Sequence, residues 1–285
     1  MKAEHCYVSA NGIRQHYIDY AGEGPALILM PGLTANARFF DGLIRAGLAP
    51  ALRVIAVDLR GRGETDKPDT GYSMAEHATD ILALMDELGI EQVNLGGHSF
   101  GGLLTYYLAA HFPARFSRCV VIDAPAEVHD GVVEQIQPSL DRLNATFESI
   151  DAYLDYVRKM PYFNEGWWNA AAEAYYRSDV RQLADGCVAA VCHPSHIMQA
   201  VEATLEPDWP DLVSRIRQPT LLFRATEPFG PPGSPPILPA DQASRTLARL
   251  QNGRLVELEG NHFTALFGAP ARLASAEIVR FLTGD

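Results

Sequence analysis

Gly97-His98-Ser99-Phe100-Gly101 stands between two stretches of different character. The residues before it, Gln92-Val93-Asn94-Leu95-Gly96, are short and partly apolar and predict a buried strand. The residues after it, Gly102 to Ala110, predict a helix. Glycine two residues before and two residues after the serine suits a sharp strand-to-helix turn, because a bulky residue at either place would clash. We expect this turn to hold the serine hydroxyl at the helix N-terminus, where backbone N–H groups and the helix dipole favour negative charge.

The G-x-S-x-G spacing, with a strand before it and a helix after it, resembles the nucleophile elbow of the α/β-hydrolase family. The resemblance implies an α/β fold with a mostly parallel eight-stranded sheet flanked by helices and an inserted helical cap. It also implies that Ser99 is a catalytic nucleophile. The alternative interpretation is a glycine-rich turn with an exposed serine.

The length and composition fit one large α/β domain or a domain with an insertion, since the chain has 285 residues and 47% of them are hydrophobic. The net charge of −12 argues against nucleic acid or an anionic membrane as partner. Residues 1–5 carry no apolar signal segment, and no apolar run is long enough to span a bilayer. We therefore expect a cytoplasmic protein, a monomer or homodimer, whose partner is a small-molecule substrate.

No metal or cofactor is predicted. The cysteines are scattered and show no paired spacing, which favours reduced structural thiols: Cys6, Cys119, Cys187 and Cys192. Cys192-His193 and His196 suggest a metal at first sight, but two further ligands are not evident. No cofactor-binding motif is present, so we expect activity to survive a chelator.

Strand and helix patterns alternate up to residue 125 and resume at 218, with continuous apolar runs that predict strands covered on both faces. Between these limits the alternation stops and helical segments rich in aromatic residues take over. We assign 1–125 and 218–285 to the hydrolase core and 126–217 to the cap that the resemblance implies. Most of the aromatic residues should pack the cap on the core. A minority are predicted to line the substrate pocket, most plausibly Tyr162, Phe163, Trp167 and Trp168.

Two loops carry further signs of the resemblance. Pro31-Gly32-Leu33 follows a buried strand where the family often has His-Gly, and the resemblance implies that the N–H of Leu33 binds an oxyanion together with the N–H of Phe100. Proline donates no hydrogen bond, but the donor in question comes later in the loop. Residues 58–63 resemble the family's D-x-R-G-x-G loop, in which we interpret Asp58 and Arg60 as structural groups that brace the loop.

A serine hydroxyl needs a base within hydrogen-bonding reach, and that base needs an orienting acid. His262 follows the last predicted strand, which is the family's position for the catalytic histidine. His98 should flank the serine as a packing residue. The acid has two candidates: Glu227 follows the seventh strand, where the family most often places it, and Asp123 follows the sixth. We favour Glu227, with Asp123 as the alternative.

These residues predict a serine hydrolase that cleaves a carboxylic ester or lactone through an acyl-enzyme. Serine at position 99 disfavours epoxide hydrolases and dehalogenases, which use aspartate there. The aromatic cap suggests a substrate with a hydrophobic portion. Two alternatives stay open: hydrolysis of a carbon–carbon bond in a ring-cleavage product, and a ligand receptor built on the same fold.

Overall fold

The computed structural model describes residues 3–127, 131–163 and 167–284. Its strands are β1 (Ala3–Ala10), β2 (Ile13–Tyr20), β3 (Gly24–Met30), β4 (Leu52–Val57), β5 (Val93–His98), β6 (Phe116–Ile122), β7 (Thr146–Phe147), β8 (Val180–Gln182), β9 (Val188–Ala190), β10 (Thr220–Ala225) and β11 (Gly253–Leu258). Its α-helices are α1 (Asp41–Leu43), α2 (Ala49–Ala51), α3 (Met74–Glu87), α4 (Phe100–His111), α5 (Val132–Asn144), α6 (Ile150–Arg158), α7 (Ala170–Ser178), α8 (Pro194–Ala203), α9 (Trp209–Ser214), α10 (Ala240–Arg249) and α11 (Gly268–Thr283). Other helical turns cover Ala37–Phe40, Ile44–Leu48, Pro113–Arg115 and Thr264–Leu266.

The main sheet has eight strands in the order β1-β2-β4-β3-β5-β6-β10-β11. The pairs β1/β2 and β2/β4 are antiparallel, and the remaining neighbours run parallel. The predicted mostly parallel eight-stranded sheet is therefore confirmed. Because parallel strands end at one edge, the loops that follow β3, β5, β6, β10 and β11 meet there.

Strand β3 illustrates why the sheet is covered on both faces. Leu27 and Leu29 pack into one apolar cluster, whereas Ile28 and Met30 pack into the other, and all four are fully buried. Successive side chains of a strand point to opposite faces, so a continuous apolar run requires helices on both sides. The fold thus matches the pattern from which it was predicted.

The segment between β6 and β10 is less purely helical than the sequence suggested. It contains α5 to α9, but also a small antiparallel sheet in the order β7-β9-β8. Helix α9 contacts α4 and α10, and its Trp209 and Leu212 join the same apolar cluster as Leu104. The division into a core and a cap at 126 and 217 stays a prediction.

None of the helices in the described ranges combines the length and the apolar character needed to cross a bilayer.

Candidate active site

The serine elbow has the strained geometry that its sequence predicts. Ser99 lies between β5 and α4 with φ 55° and ψ −118°, which a non-glycine residue rarely adopts. A Cβ atom on Gly97 would stand 2.1 Å from the carbonyl oxygen of Gly101, and one on Gly101 would stand 2.0 Å from that of Met30. Neither glycine leaves room for a side chain, so the turn holds Ser99 at the start of α4.

His262 is paired with a carboxylate. Its Nδ1 lies 2.7 Å from Oδ2 of Asp123, and these side chains are only 8% and 2% exposed. A nitrogen facing a carboxylate carries its proton, which leaves Nε2 with a free lone pair. Ser99 and His262 both line the same two adjoining cavities. The structure therefore brings together the serine and the histidine that the sequence indicated.

Asp123 is fixed on the main sheet by its own backbone. Its N–H donates to the carbonyl of Phe223 at 2.9 Å, and its Oδ1 accepts from the N–H of Ala225 at 3.0 Å. Its φ of 53° is left-handed, another strained position directly after a strand. One carboxylate oxygen is thus bound to β10, and the other is free to hold the imidazole of His262.

The structure reverses the order in which the two acids were preferred, because His262 pairs with Asp123 and not with Glu227. The backbone N–H of Glu227 donates to the carbonyl of Gly260 at 3.0 Å. Its half-buried carboxylate forms no hydrogen bond or ion pair within the described ranges. The turn at Asp123 is what directs a carboxylate to His262, and backbone turns of this kind are not readable from residue spacing.

His98 supports the other end of His262. Its Nε2 donates to the carbonyl oxygen of His262 at 2.8 Å, and the two ring centroids are 4.4 Å apart. Burial, and next the nearby His262, hold the pKa of His98 well below its ordinary value. The sequence indicated a packing residue that flanks the serine, and His98 lines the first cavity together with Ser99.

Asn261 shapes the loop that carries the histidine. Its side-chain oxygen accepts from the N–H groups of Phe263 and Thr264, both at 3.0 Å. Its amide nitrogen donates to the carbonyl of Tyr162 at 2.8 Å. The loop is therefore tied both to itself and to the segment between β6 and β10.

The two residues expected to supply oxyanion donors lie next to Ser99. Leu33 lines both cavities, and Phe100, which lines one of them, is the first residue of α4. In the part of the chain that the structure describes, neither backbone N–H has a protein hydrogen-bond partner. Both are thus available to a ligand oxygen beside the serine.

The two cavities share Leu33, Ser99, Ile136 and His262 but differ in the rest of their walls. The first is mainly aromatic and includes a charged group; its other wall residues include Phe39, Arg142, Tyr162, Tyr175, Tyr176, Phe229 and Phe263. The second is mainly aliphatic; its other wall residues include Phe100, Leu103, Asp123, Val201, Leu205 and Ile237. A substrate bound at Ser99 would therefore meet a different surface on each side of its reacting carbon.

Only one of the four aromatic residues predicted for the pocket lines either cavity as the structure describes them. Tyr162 does so. Phe163 and Trp168 instead pack against each other and against Tyr176, with ring centroids 5.0 to 5.9 Å apart. Trp167 lies against Gly260. These three rings were indistinguishable from pocket residues by composition alone.

Arg142 is a charged cavity residue that the sequence analysis missed. It is buried on α5 and pairs with the buried Asp179, and its Nη1 donates to the hydroxyl of Tyr153 at 2.5 Å. Its Nη2 lies 3.5 Å from Oγ1 of Thr34, another residue of the first cavity. An arginine between the apolar Leu140 and Leu143 was the available signal, because an arginine on an apolar helix face needs a partner.

The metal suggestion at Cys192, His193 and His196 finds no geometric support. The Cys192 thiol lies 3.5 Å from the carbonyl of Thr34, and His193 caps α8 by accepting from the N–H of Ser195. Within the described ranges, the one group of three potential ligands is His5, His16 and Glu64, which lines neither cavity at Ser99.

Comparison with known proteins gives a consistent result. A family model described as the alpha/beta hydrolase fold matches residues 25–174. An N-formylmaleamate deformylase from Pseudomonas putida is 32% identical over 219 residues, which is 76% of either chain. The structure of an E-2-(acetamidomethylene)succinate hydrolase has a TM-score of 0.82 at 24% identity and covers 98% of this chain and 99% of that one. The enol-lactonase from Burkholderia xenovorans LB400 has a TM-score of 0.73 at 23% identity, over 98% and 100% of the two chains.

Proposed function

We propose that this chain, which belongs to the alpha/beta hydrolase fold family, hydrolyses a carboxylic ester or lactone through an acyl-enzyme on Ser99. The proposal rests on the Asp123–His262 hydrogen bond of 2.7 Å, with Ser99 in the same cavities. A nucleophile, a base and an acid that orients the base are the three groups that acyl transfer by a serine requires.

In the acylation step, Nε2 of His262 takes the proton of the Ser99 hydroxyl as the oxygen attacks the substrate carbonyl carbon. Asp123 holds the Nδ1–H of the same ring and stabilises the imidazolium that forms. The carbonyl oxygen becomes an oxyanion, which accepts hydrogen bonds from the N–H groups of Leu33 and Phe100. The imidazolium then returns the proton to the leaving oxygen as its bond to carbon breaks.

In the deacylation step, a water molecule takes the place of the leaving group. His262 removes one of its protons while the water oxygen attacks the acyl carbon of the ester on Ser99. The second tetrahedral intermediate uses the same two N–H donors. Its collapse returns the proton to the serine oxygen and releases a carboxylic acid.

The two cavities would each hold one part, or arm, of a substrate whose reacting carbon lies at Ser99. The first arm meets the aromatic wall with Arg142, and the second arm meets the aliphatic wall. A carboxylate is the group that an arginine fork binds best. The names of two similar proteins, a deformylase of a maleamate and a hydrolase of a succinate, denote substrates with carboxylates. We therefore include a carboxylate on the first arm in the proposal.

A second candidate, cleavage of an N-acyl bond, is favoured by the likeness to the N-formylmaleamate deformylase. The chemistry at Ser99 would be the same, except that the imidazolium of His262 would protonate a leaving nitrogen. The identity of 32% makes this candidate worth a direct comparison with esters.

The test is a substrate panel on the purified protein and its Ser99→Ala variant. The panel contains aryl esters, lactones, N-formyl amides and a dienoic ring-cleavage product, each with and without a carboxylate. We expect steady turnover of an ester or lactone by the wild type and none by the variant. Faster turnover of the dienoic acid, or a burst without turnover, would refute the proposal in favour of a carbon–carbon hydrolase or a receptor.

A further inference from the structure

Arg62 is a buried cation directly behind the proposed oxyanion site. It lies in the loop between β4 and α3, and no part of it is exposed. The mechanism above does not use this residue. Fully buried arginines are rare unless they are paired with an acid.

The guanidinium of Arg62 contacts both residues whose N–H groups are proposed to bind the oxyanion. Its Nε donates to the carbonyl oxygen of Leu33 at 2.9 Å. Its Cζ lies 5.0 Å from the centroid of the Phe100 ring, within the range of a cation–π contact. Leu33 lies in the loop after β3 and Phe100 begins α4, and Arg62 is a single group that touches both.

The other partners of Arg62 are neutral. Its Nη1 donates to the carbonyl of Arg60 at 2.7 Å and to Nε2 of His77 at 2.9 Å. The Nδ1 of His77 lies 2.8 Å from the carbonyl of Ser73, to which it donates, so Nε2 is free to accept. Burial, followed by the charge of Arg62, holds the pKa of His77 well below its ordinary value. His77 therefore does not neutralise or compete with the guanidinium.

No carboxylate lies within ion-pair distance of Arg62 among the described residues, and its Nη2 has no hydrogen-bond partner there. Burial lowers the pKa of Arg62 to about 10, so the group still carries its charge at neutral pH. Arg60, two residues away, shows the opposite arrangement, because it is also buried but pairs with Asp80 at 2.6 Å. A role in packing alone would not need an unbalanced charge at this place.

We infer that Arg62 is a positioning residue of the oxyanion site. It fixes Leu33 through its carbonyl and Phe100 through its ring, and it adds a positive charge that is balanced only when the tetrahedral oxyanion forms. In a dry interior such a charge acts strongly and needs no reorganisation at the moment of reaction. This inference rests on the proposed serine hydrolase mechanism.

The kinetic test compares Arg62→Met with Leu84→Ala on an ester that the wild type turns over. Methionine keeps much of the volume and removes the charge, whereas Leu84→Ala makes a cavity on α3, the helix of His77, and serves as the control for lost stability. We expect kcat of Arg62→Met to fall about 10- to 100-fold with KM nearly unchanged. This fall is somewhat smaller than the fall in kcat that follows removal of an oxyanion donor itself. An equal fall in Leu84→Ala would assign Arg62 a purely structural role.

A second measurement reads the oxyanion directly. A trifluoromethyl ketone adds to the Ser99 oxygen, the serine proton passes to His262, and the ketone oxygen becomes an oxyanion at the proposed site. A pH titration of the adduct by ¹⁹F NMR gives the pKa at which this oxygen is protonated. We expect that pKa to rise by about one unit or more in Arg62→Met, and to stay unchanged in Leu84→Ala.

The outcomes separate the inference from the mechanism on which it rests. A wild type that neither turns over esters nor forms the adduct would refute the proposed function itself. A wild type that does both, beside an Arg62→Met protein with the same kcat and the same adduct pKa, would refute only the role of Arg62. If Arg62→Met does not fold, Arg62→Lys replaces it. We expect kcat to fall in the same direction because one amine cannot reach Leu33 and Phe100 together, and the adduct pKa to stay near its wild-type value because the positive charge remains.

Discussion

The two walls of the site are built differently. The wall at the edge of the main sheet places Ser99 and Asp123 at strained backbone positions directly after β5 and β6, and hydrogen bonds hold His262 from two sides. The opposite wall comes from the segment between β6 and β10, where Arg142 and Tyr176 line the cavity from helices. The first wall holds the groups that react, and the second wall provides the surface against which the substrate would bind. We conclude that substitutions in the first wall should alter kcat, and substitutions in the second wall should alter KM.

The largest expected effect concerns the two acids. Asp123→Asn keeps the shape of the side chain but cannot hold the catalytic tautomer of His262, so kcat should fall by about 10⁴. The matched variant Glu227→Gln should change kcat less than about twofold, because that carboxylate bonds to nothing in the described structure. Steady-state kinetics of both variants decide the matter, and a large loss in Glu227→Gln with none in Asp123→Asn would return the assignment to Glu227.

The next effect tests the opposite wall. Removing Arg142 alone would leave the buried Asp179 unpaired, so the variant is Arg142→Met with Asp179→Asn, which removes both charges. We expect KM for a carboxylate-bearing substrate to rise about 10- to 100-fold, and KM for its neutral methyl ester to change little. Equal changes for the two substrates would show that Arg142 braces the fold without binding the carboxylate.

A smaller effect should follow from the support behind His262. His98→Leu removes the hydrogen bond to the His262 carbonyl and should lower kcat about tenfold by loosening the ring's position. His98→Gln keeps a donor at this place and should recover part of the loss. Comparison of kcat for the two variants checks this, and equal values would mean that the hydrogen bond does not position the base.

The smallest effect concerns Phe163, an aromatic residue of the segment between β6 and β10 that lines neither cavity. Phe163→Leu should change kcat and KM less than about twofold, while it lowers the free energy of unfolding by about 1 to 2 kcal/mol. Denaturant titration and kinetics on the same sample measure both quantities. A selective rise in KM would place Phe163 in the pocket after all.

The sequence predicted the first wall better than the second for a physical reason. Gly97 and Gly101 around Ser99 and the apolar runs of the strands are local requirements, so they are visible in the order of residues. The pairing of His262 with Asp123 depends on the direction in which one backbone turns after β6, whereas the position along the chain favoured Glu227.

The second wall depends on which face each helix turns toward the cavity. Tyr162 and Phe163 are neighbours in sequence, yet only Tyr162 lines it, and Trp168 packs among other rings. Arg142 was overlooked because its partner Asp179 lies 37 residues away along the chain. Such contacts form only when separate helices pack together, and no local pattern specifies them.

The most direct test of the central claim is identification of the residue that a fluorophosphonate modifies. Such a reagent phosphonylates a serine that a neighbouring base activates, and peptide mass spectrometry locates the added group. We predict a single modification on Ser99 in the wild type, none in Ser99→Ala, and a rate reduced at least about 100-fold in Asp123→Asn. Modification of another residue, or of Asp123→Asn at the wild-type rate, would contradict the account.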